Sequence, residues 1–332
     1  MYRVGIVGCG GIAQVHAQVL RELPDTELAA CADIKAEKAA AFSQKYGCRA
    51  YSCMEEMLEK EAPDAVHLCT PHDLHAPMAL FAAEKGAAVF TEKPPIISRE
   101  QWAMLEEAAK KAPLGVCFQN RYNPNVQRAA ELIQSGQWGR PLGARAFVTW
   151  QRDKAYYTGS DWRGAWSTEG GGTLINQAVH TLDLLVFLLG RPSASQTFMA
   201  NRHLKDVIQV EDTVEARLTL GGVPALLYAS NAYAANAPVL LEIQLEKAAL
   251  RLEDGEMEIR ADGHVQRFSF AMDQALGKGY WGNGHLACIR DFYRCLSSSA
   301  PYMNRLENVR DTAMLLMDMY DQGRRFLAAA QS

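Results

Sequence analysis

Three residues stand out for the chemistry their types permit: Lys93, His180 and Asn176. Lys93 follows the apolar run Ala87 to Thr91, within Glu92-Lys93-Pro94-Pro95. Partial burial at such a strand end lowers a lysine pKa toward neutrality. The neutral amine can then take a proton from a hydroxyl, and the charged form stabilises a developing alkoxide. The alternatives are a surface lysine paired with Glu92 and one beside a phosphate. His180 lies in an apolar stretch after Gly170-Gly171-Gly172, with Asn176 one turn earlier and Asp183 three residues later. At helical spacing these side chains share a face. Histidine suits proton transfer near neutral pH, and the plain alternative is a hydrogen-bonded core histidine. Asn176 can hold a hydroxyl but takes no proton from it.

Oxidising an alcohol needs, besides such a base, an acceptor for the electrons, and the N-terminus offers a place for one. Tyr2 to Ala13 reads as a short apolar strand, a glycine turn and a helix start, with Gly8, Gly10 and Ala13 at the small-residue positions of a dinucleotide fingerprint. The first glycine makes the turn, the second admits a pyrophosphate, and the helix N-terminus favours its charge. The next apolar run, Leu28 to Ala32, ends in Asp33, where a carboxylate bonds ribose hydroxyls and repels a 2′-phosphate. NAD is therefore expected, with NADP possible because Lys35 and Lys38 lie nearby.

The elements that must position these groups follow from the pattern. Residues 1–120 alternate strand-like and helix-like segments, the mark of a doubly wound parallel α/β sheet. Polar residues cluster where its strands end: Thr70, Pro71, His72 and His75 after one, Glu92 and Lys93 after the next, Gln119 to Tyr122 after the sixth. Such ends are where open α/β sheets bind ligands. From 121 to 332 we expect a second domain: a helix to about Ser135, a strand to Trp150, a loop over Gln151 to Glu169, and one helix over Thr173 to Leu189. A mostly antiparallel open sheet over Ser195 to Phe270 follows, then helices near Trp281 to Leu296 and Leu306 to Arg325.

Composition narrows the classes. The 332 residues are 48% hydrophobic and 22% charged with net charge −4, so nothing favours nucleic acid or an anionic membrane. The longest apolar stretch, Leu182 to Leu189, contains Asp183 and is too short to span a bilayer. The chain enters a strand directly, so no signal peptide is expected and the localisation expected is cytoplasmic. The 8 cysteines lack metal spacing and are read as reduced thiols. His72 and His75 lack further ligands nearby, so no metal is expected.

Taken together, the glycine fingerprint, Thr70-Pro71 with His75, Glu92-Lys93-Pro94, the glycine triplet and His180 resemble the Gfo/Idh/MocA family over nearly the whole chain. The resemblance implies a Rossmann domain and a C-terminal α+β domain whose large open sheet builds a homodimer or homotetramer. It implies a nicotinamide-dependent dehydrogenase acting on a secondary alcohol of a sugar, glycoside or inositol-like polyol, with Lys93 and His180 catalytic. Asn176, Arg121, Tyr122 and Arg163 are the expected substrate contacts. Gly8, Gly10, Gly11, Ile12, Ala13, Asp33, Thr70, Pro71, His72, His75, Glu92, Lys93 and Gln119 are the expected cofactor edge. Trp162 and Trp166 serve either substrate or loop packing, and His285 either the site or a helix cap. Many members carry aspartate where this chain has Asn176, and often glycine where it has Ala178, which moves the base role to Lys93 or His180. Two other functions fit the same resemblance: a glycosidase using NAD in a closed redox cycle, and a non-catalytic nucleotide-binding regulator.

Overall fold

Short apolar strands that alternate with amphipathic helices can bury both sheet faces only by crossing over in parallel, and the first part of the chain does so. The computed structural model describes residues 1–270, 284–298 and 300–329, in two units. The first unit takes residues 1–119 and regains the chain at 284–309; the second takes 120–270 and the chain from 310.

In the first unit the order is β1 (Tyr2–Val7), α1 (Gly11–Glu22), β2 (Thr26–Ala32), α2 (Ala36–Tyr46), β3 (Arg49–Tyr51), α3 (Met54–Glu61) and β4 (Ala65–Leu68). Then come α4 (His75–Glu84), β5 (Ala88–Glu92), α5 (Arg99–Lys111) and β6 (Leu114–Cys117). The strands are all parallel and ordered β3-β2-β1-β4-β5-β6, which is the dinucleotide-binding order. Every residue of β4, β5 and β6 is buried, as expected of strands covered on both faces. α1 buries Ala13, Val15, His16, Ala17, Val19 and Leu20.

The second unit begins with α6 (Pro124–Ser135), whose Pro124 sits in the first turn where its missing N–H costs nothing. β7 (Pro141–Thr149) follows, and then α7 (Lys154–Thr158), a short helix inside the segment expected to be loop, capped by Asp153 Oδ1 accepting from Tyr156 N at 3.0 Å. The apolar stretch expected as one helix is helical without interruption over residues 173–189, opening with a π-helical turn over Leu174–Ala178 that runs directly into α8 (Val179–Leu189). Next come β8 (Pro192–Ala200), β9 (Thr213–Leu220), β10 (Val223–Ser230), β11 (Leu240–Leu245), β12 (Ala249–Glu253), β13 (Glu256–Ala261) and β14 (His264–Ser269). They form an eight-stranded sheet, β14-β13-β12-β11-β7-β10-β9-β8, antiparallel except for the β10–β7 pair. α8 packs against β7 and β9 on one face of it. The expected pairing of a parallel Rossmann sheet with a large, mostly antiparallel sheet is thus observed.

α9 (Gly284–Ser298) packs on α1 and β6 of the first unit, a return that a division at residue 120 does not anticipate. Its expected start at Trp281 lies outside the described residues. α10 (Leu306–Ala329) enters the second unit at Arg310. The cysteines are free thiols, and all but Cys53 are buried. Among the described residues no helix is long and apolar enough to cross a membrane.

Candidate functional site

In the first unit the turn from β1 to α1 is built for close approach. Gly8 has φ +86°, and a Cβ there would lie 2.6 Å from the Cys69 carbonyl oxygen, so only glycine lets the turn pass the end of β4. A Cβ on Gly10 or Gly11 would meet nothing within 4 Å, which leaves open room above the turn. α1 has no side-chain cap and no acid in its first turn, so its N–H groups and positive end remain available to an anion. Ile12 is half-buried beside them and Ala13 is buried against the sheet. Asp33, half-buried at the end of β2, accepts from Cys9 N through Oδ2 and from Lys35 N through Oδ1, both at 2.8 Å. The carboxylate therefore braces the glycine turn. Thr70 Oγ1, just past β4, is buried without a hydrogen-bond partner among the described residues. These features fit a bound dinucleotide.

The residues after β4 and β5 divide into braces and openings. His75 is fully buried, with Nδ1 2.7 Å from Pro94 O and Nε2 3.0 Å from Thr70 O, so it ties the two strand ends together. Burial lowers its pKa, against the pull of those carbonyls. His72 is buried in the 3₁₀ turn His72–Leu74, while Pro71 is half-exposed. Gln119 is buried, its Oε1 accepting from Cys117 Sγ at 3.9 Å. Lys93 is half-buried, and its peptide bond to Pro94 is cis. Glu92 is buried, and its Oε2 accepts from Lys93 N at 3.3 Å rather than facing solvent.

Beneath Glu92 lies a polar network that sequence reasoning missed. His16 Nε2 is 3.0 Å from Glu92 Oε1, His16 Nδ1 is 2.9 Å from His67 Nδ1, and His67 Nε2 is 2.9 Å from Tyr293 OH. Burial alone would raise the Glu92 pKa, but the His16 hydrogen bond and the nearby His16, His285 and Lys93 outweigh it and hold the carboxyl well below its usual range. Burial lowers His285 to about 4 and pushes His67 well below its ordinary value. His285 thus belongs to the core against α1, its ring centroid 6.4 Å from that of His16. Donor atoms of His16, Glu92 and Cys117 lie within 4.8 Å of one another, but the His16–Glu92 contact is already a hydrogen bond. A histidine on the buried stripe of α1 was the signal available in the sequence.

In the second unit the glycine triplet serves packing. A Cβ on Gly171 would lie 1.9 Å from Tyr320 Oη, and one on Gly172 would lie 1.9 Å from Glu211 O. The space beside both glycines is filled by this unit's own chain. Glu211, fully buried, accepts from Gly172 N, Leu174 N and Tyr320 OH at 2.9, 3.0 and 2.9 Å, which anchors the π-helical turn. Burial pushes its carboxyl up to about 7 against those donors.

Beyond the triplet, every residue from 169 to 186 is buried except Asn176 and His180, which are half-exposed. Asn176 Nδ2 donates to Glu169 Oε1 at 2.5 Å and lies 3.4 Å from Tyr156 OH, which also accepts from Gln177 Nε2 at 3.2 Å. Arg163, half-buried, lies over the rings of Tyr156 and Trp162, 4.6 and 4.8 Å from their centroids. Trp166 packs in the loop, its Nε1 donating to Gln209 O at 3.0 Å and Arg324 covering its ring at 4.3 Å. Tyr122 is half-exposed. Arg121 is not at an open surface: it is 2% exposed and grips Asp183 through Nε and Nη2 at 2.8 and 2.6 Å, while Thr312 Oγ1 donates to the same carboxylate. Asp183, expected on the same helix face as His180, is thus engaged by Arg121 and Thr312.

Comparison with known proteins identifies the family of both units. Residues 2–119 match the family model described as an oxidoreductase family with an NAD-binding Rossmann fold, and residues 126–251 match the GFO/IDH/MocA C-terminal domain. The D-glucoside 3-dehydrogenase of Escherichia coli K12 is 32% identical over 198 residues, 58% of this chain and 55% of that protein. The myo-inositol 2-dehydrogenase of Thermotoga maritima is 27% identical over 191 residues, 57% and 55% of the two chains. These matches span about half the length of the curated relatives. Among solved structures, the WlbA dehydrogenase of Bordetella pertussis, crystallised with NADH and UDP-GlcNAcA, superposes with a TM-score of 0.85 at 28% identity over 97% of this chain and 96% of its own. With both family models matched along the chain and the parallel sheet and the open sheet both present, the protein belongs to the Gfo/Idh/MocA oxidoreductase family.

Proposed function

We propose that this protein is an NAD-dependent dehydrogenase that oxidises a secondary alcohol of a sugar, glycoside or cyclic polyol. The observation that carries the reading is the pair of openings at Asn176 and His180 in an otherwise buried segment. Both side chains are polar and reach the surface of a segment that is otherwise buried, where a hydroxylated ligand can meet them. When bound, the nicotinamide supplies the acceptor for the electrons of the C–H bond. Lys93 and His180 both bond the reacting hydroxyl and handle its proton, since the Asn176 amide cannot. Asn176 orients the substrate, with Arg163 and Tyr122 offering hydrogen bonds and an aromatic face to a hydroxylated ring. Arg121, committed to Asp183, is left out of this set. The Asp33 carboxylate supports NAD over NADP.

The relatives named above act on glucosides and inositols by their names, which supports a substrate of that chemical kind. Phe147, Phe198, Leu226 and Tyr228 share the face of the large sheet away from α8, with Leu226 and Phe198 52% and 50% exposed. These aromatic and aliphatic side chains, interleaved with Arg145, Glu215 and Arg217 on the same face, support association into a homodimer or homotetramer. The free, mostly buried thiols support a reducing, cytoplasmic location.

A panel of free sugars, methyl glycosides, sugar phosphates and inositols, each with NAD and with NADP, tests the reading by absorbance of reduced cofactor at about 340 nm. Stoichiometric NADH formation with at least one class is expected. Release of an aglycone without net NADH would instead establish the closed redox cycle, and NADH binding without turnover on any class would establish a regulator.

A further inference from the structure

We propose that Arg163, together with Arg152 beside the same tyrosine ring, forms a subsite for an anionic group, so that the carbohydrate taken by this protein carries a carboxylate or a phosphate. The inference rests on the dehydrogenase reading and deepens it by naming the class of substrate. Every residue it uses belongs to the second unit.

Arg163 is held in place by rings. Its guanidinium carbon lies 4.6 and 4.8 Å from the ring centroids of Tyr156 and Trp162. Aromatic faces attract a guanidinium by its charge but give its N–H groups no oxygen to bond. Its Nε is buried with no hydrogen-bond partner among the described residues. Such a donor costs stability until an acceptor reaches it. Glu169 feels the charge of Arg163, but its two oxygens accept from Gly164 N and Asn176 Nδ2, both at 2.5 Å. Burial also pushes that carboxyl up to about 7, so near neutral pH it offsets only part of the guanidinium charge.

A second guanidinium adds to the first. Arg152 lies over Tyr156 and Trp150, 5.1 and 4.9 Å from their centroids. Its Nη1 donates to Gln151 O and Asn236 Oδ1 at 2.6 and 3.0 Å, and both of these acceptors are neutral. The two guanidiniums favour the ionised phenol of Tyr156, although burial outweighs them and raises its pKa. Residues 151–163 carry Arg152, Lys154 and Arg163 against Asp153 and Asp161, and Asp153 accepts from Tyr156 N as the cap of α7. The segment is thus positive in a chain of net charge −4.

Tyr156 also sets where the charge stands. Its OH lies 3.4 Å from Asn176 Nδ2 and accepts from Gln177 Nε2 at 3.2 Å. One tyrosine side chain therefore reaches from the guanidiniums to the residue assigned to orient the substrate. A sugar that meets Asn176 through a hydroxyl brings a substituent one tyrosine's length away to Arg163. A carboxylate or a phosphate accepts a pair of parallel N–H bonds from one guanidinium, a geometry that a single hydroxyl lacks.

Isothermal titration calorimetry on the full chain saturated with NADH tests this with matched pairs of neutral and charged ligands. The pairs are glucose with glucuronate, galactose with galacturonate, glucose with glucose 6-phosphate, and myo-inositol with an inositol monophosphate. In at least one pair the charged member is expected to bind at least about tenfold tighter. Raising NaCl from about 50 mM to about 500 mM should weaken the charged member at least about threefold and leave its neutral partner within about 1.5-fold. Preference confined to the uronates identifies a carboxylate, and preference confined to the phosphate esters identifies a phosphate. Arg163→Gln should bring the ratio of affinities to within about twofold of unity, and Arg163→Lys, which keeps the charge but not the paired donors, should leave an intermediate ratio. Should Arg163→Gln fail to fold, the wild-type ratio and its salt dependence decide. Equal affinities in every pair, no binding of any charged ligand, or a ratio that survives Arg163→Gln would overturn the proposal. Binding is read without turnover, so the two readings fail separately. Tight binding of a charged sugar that yields no NADH from NAD defeats the dehydrogenase reading alone, and turnover of neutral sugars without preference for charge defeats this proposal alone.

Discussion

Gly172→Ala and Gly10→Ala add the same methyl group to glycines with opposite surroundings, and the structure assigns them opposite consequences. At Gly172 the new Cβ would lie 1.9 Å from the Glu211 carbonyl oxygen, where ordinary contact begins at 3.4 Å, so one backbone must move by about 1.5 Å. That oxygen accepts from Thr173 N at 3.1 Å, and the Glu211 carboxylate accepts from Gly172 N and Leu174 N at 2.9 and 3.0 Å. Moving either strand of chain weakens all three buried bonds, each with a net contribution of about 0.5–1.5 kcal/mol. Overpacking adds about 1–3 kcal/mol, so the total loss is about 3–7 kcal/mol. For a unit of this size the unfolding midpoint should fall by at least about 6 °C. At Gly10, by contrast, the Cβ meets nothing within 4 Å and φ is −78°, so the methyl enters open space. Gly10→Ala should hold its midpoint within about 2 °C and weaken NADH binding about tenfold or more, because the methyl occupies the room above the turn. Thermal unfolding by circular dichroism and NADH titration by fluorescence read the two effects. A Gly172→Ala midpoint within about 2 °C of the wild type would refute the packing account of the triplet.

Three further outcomes follow from the same geometry. Asp183→Ala leaves the Arg121 guanidinium buried without its carboxylate and should cost about 3–5 kcal/mol in urea unfolding, whereas the double variant Arg121→Met/Asp183→Leu should recover most of that loss; equal losses in both would contradict a pair held for mutual compensation. Asp33→Asn keeps an acceptor for Cys9 N but removes the charge, and should shift the ratio of NADP to NAD affinity about tenfold or more toward NADP; an unchanged ratio counts against Asp33 as the discriminator. Glu211 is raised to about 7 in the folded chain against about 4.3 when unfolded, so the folded state holds its proton longer. Its stabilising contribution is present below about pH 4.3 and declines as pH rises toward 7, by on the order of 3 kcal/mol. Glu211→Gln should flatten the fall in stability over that window, and parallel pH curves for the two proteins would contradict it.

Much of the first unit was legible because its signals are local. Gly8, Gly10 and Ala13 sit within one turn, and the apolar runs ending at Ala32, Leu68, Glu92 and Cys117 are each bounded by polar residues or proline. What escaped depended on partners far along the chain. The packing role of the triplet was not legible because Glu211 and Tyr320, which fill its space, are 39 and 149 residues beyond Gly172 and Gly171. Arg121 looked like a substrate contact because Asp183, 62 residues on, carries no mark of a buried pair in an apolar helix. The π-helical turn over Leu174–Ala178, where Leu174 N donates to Glu211 Oε1, is a feature that periodicity does not register. Glu169 was visible as a lone acid abutting three glycines, yet its bond to Asn176 emerges only when the π-helical turn carries the amide back over it. The return of α9 to the first unit likewise depends on contacts with α1 and β6 rather than on any local feature.

The most direct test of the account measures turnover of the best carbohydrate or polyol substrate by Lys93→Ala and by His180→Ala, with NADH binding determined on the same preparations. Both variants should bind NADH within about threefold of the wild type and lose roughly 10²–10⁴-fold in kcat, the usual contribution of a positioned acid–base group. Near-wild-type kcat in both variants, with the cofactor bound normally, would contradict the assignment of the proton to these two residues.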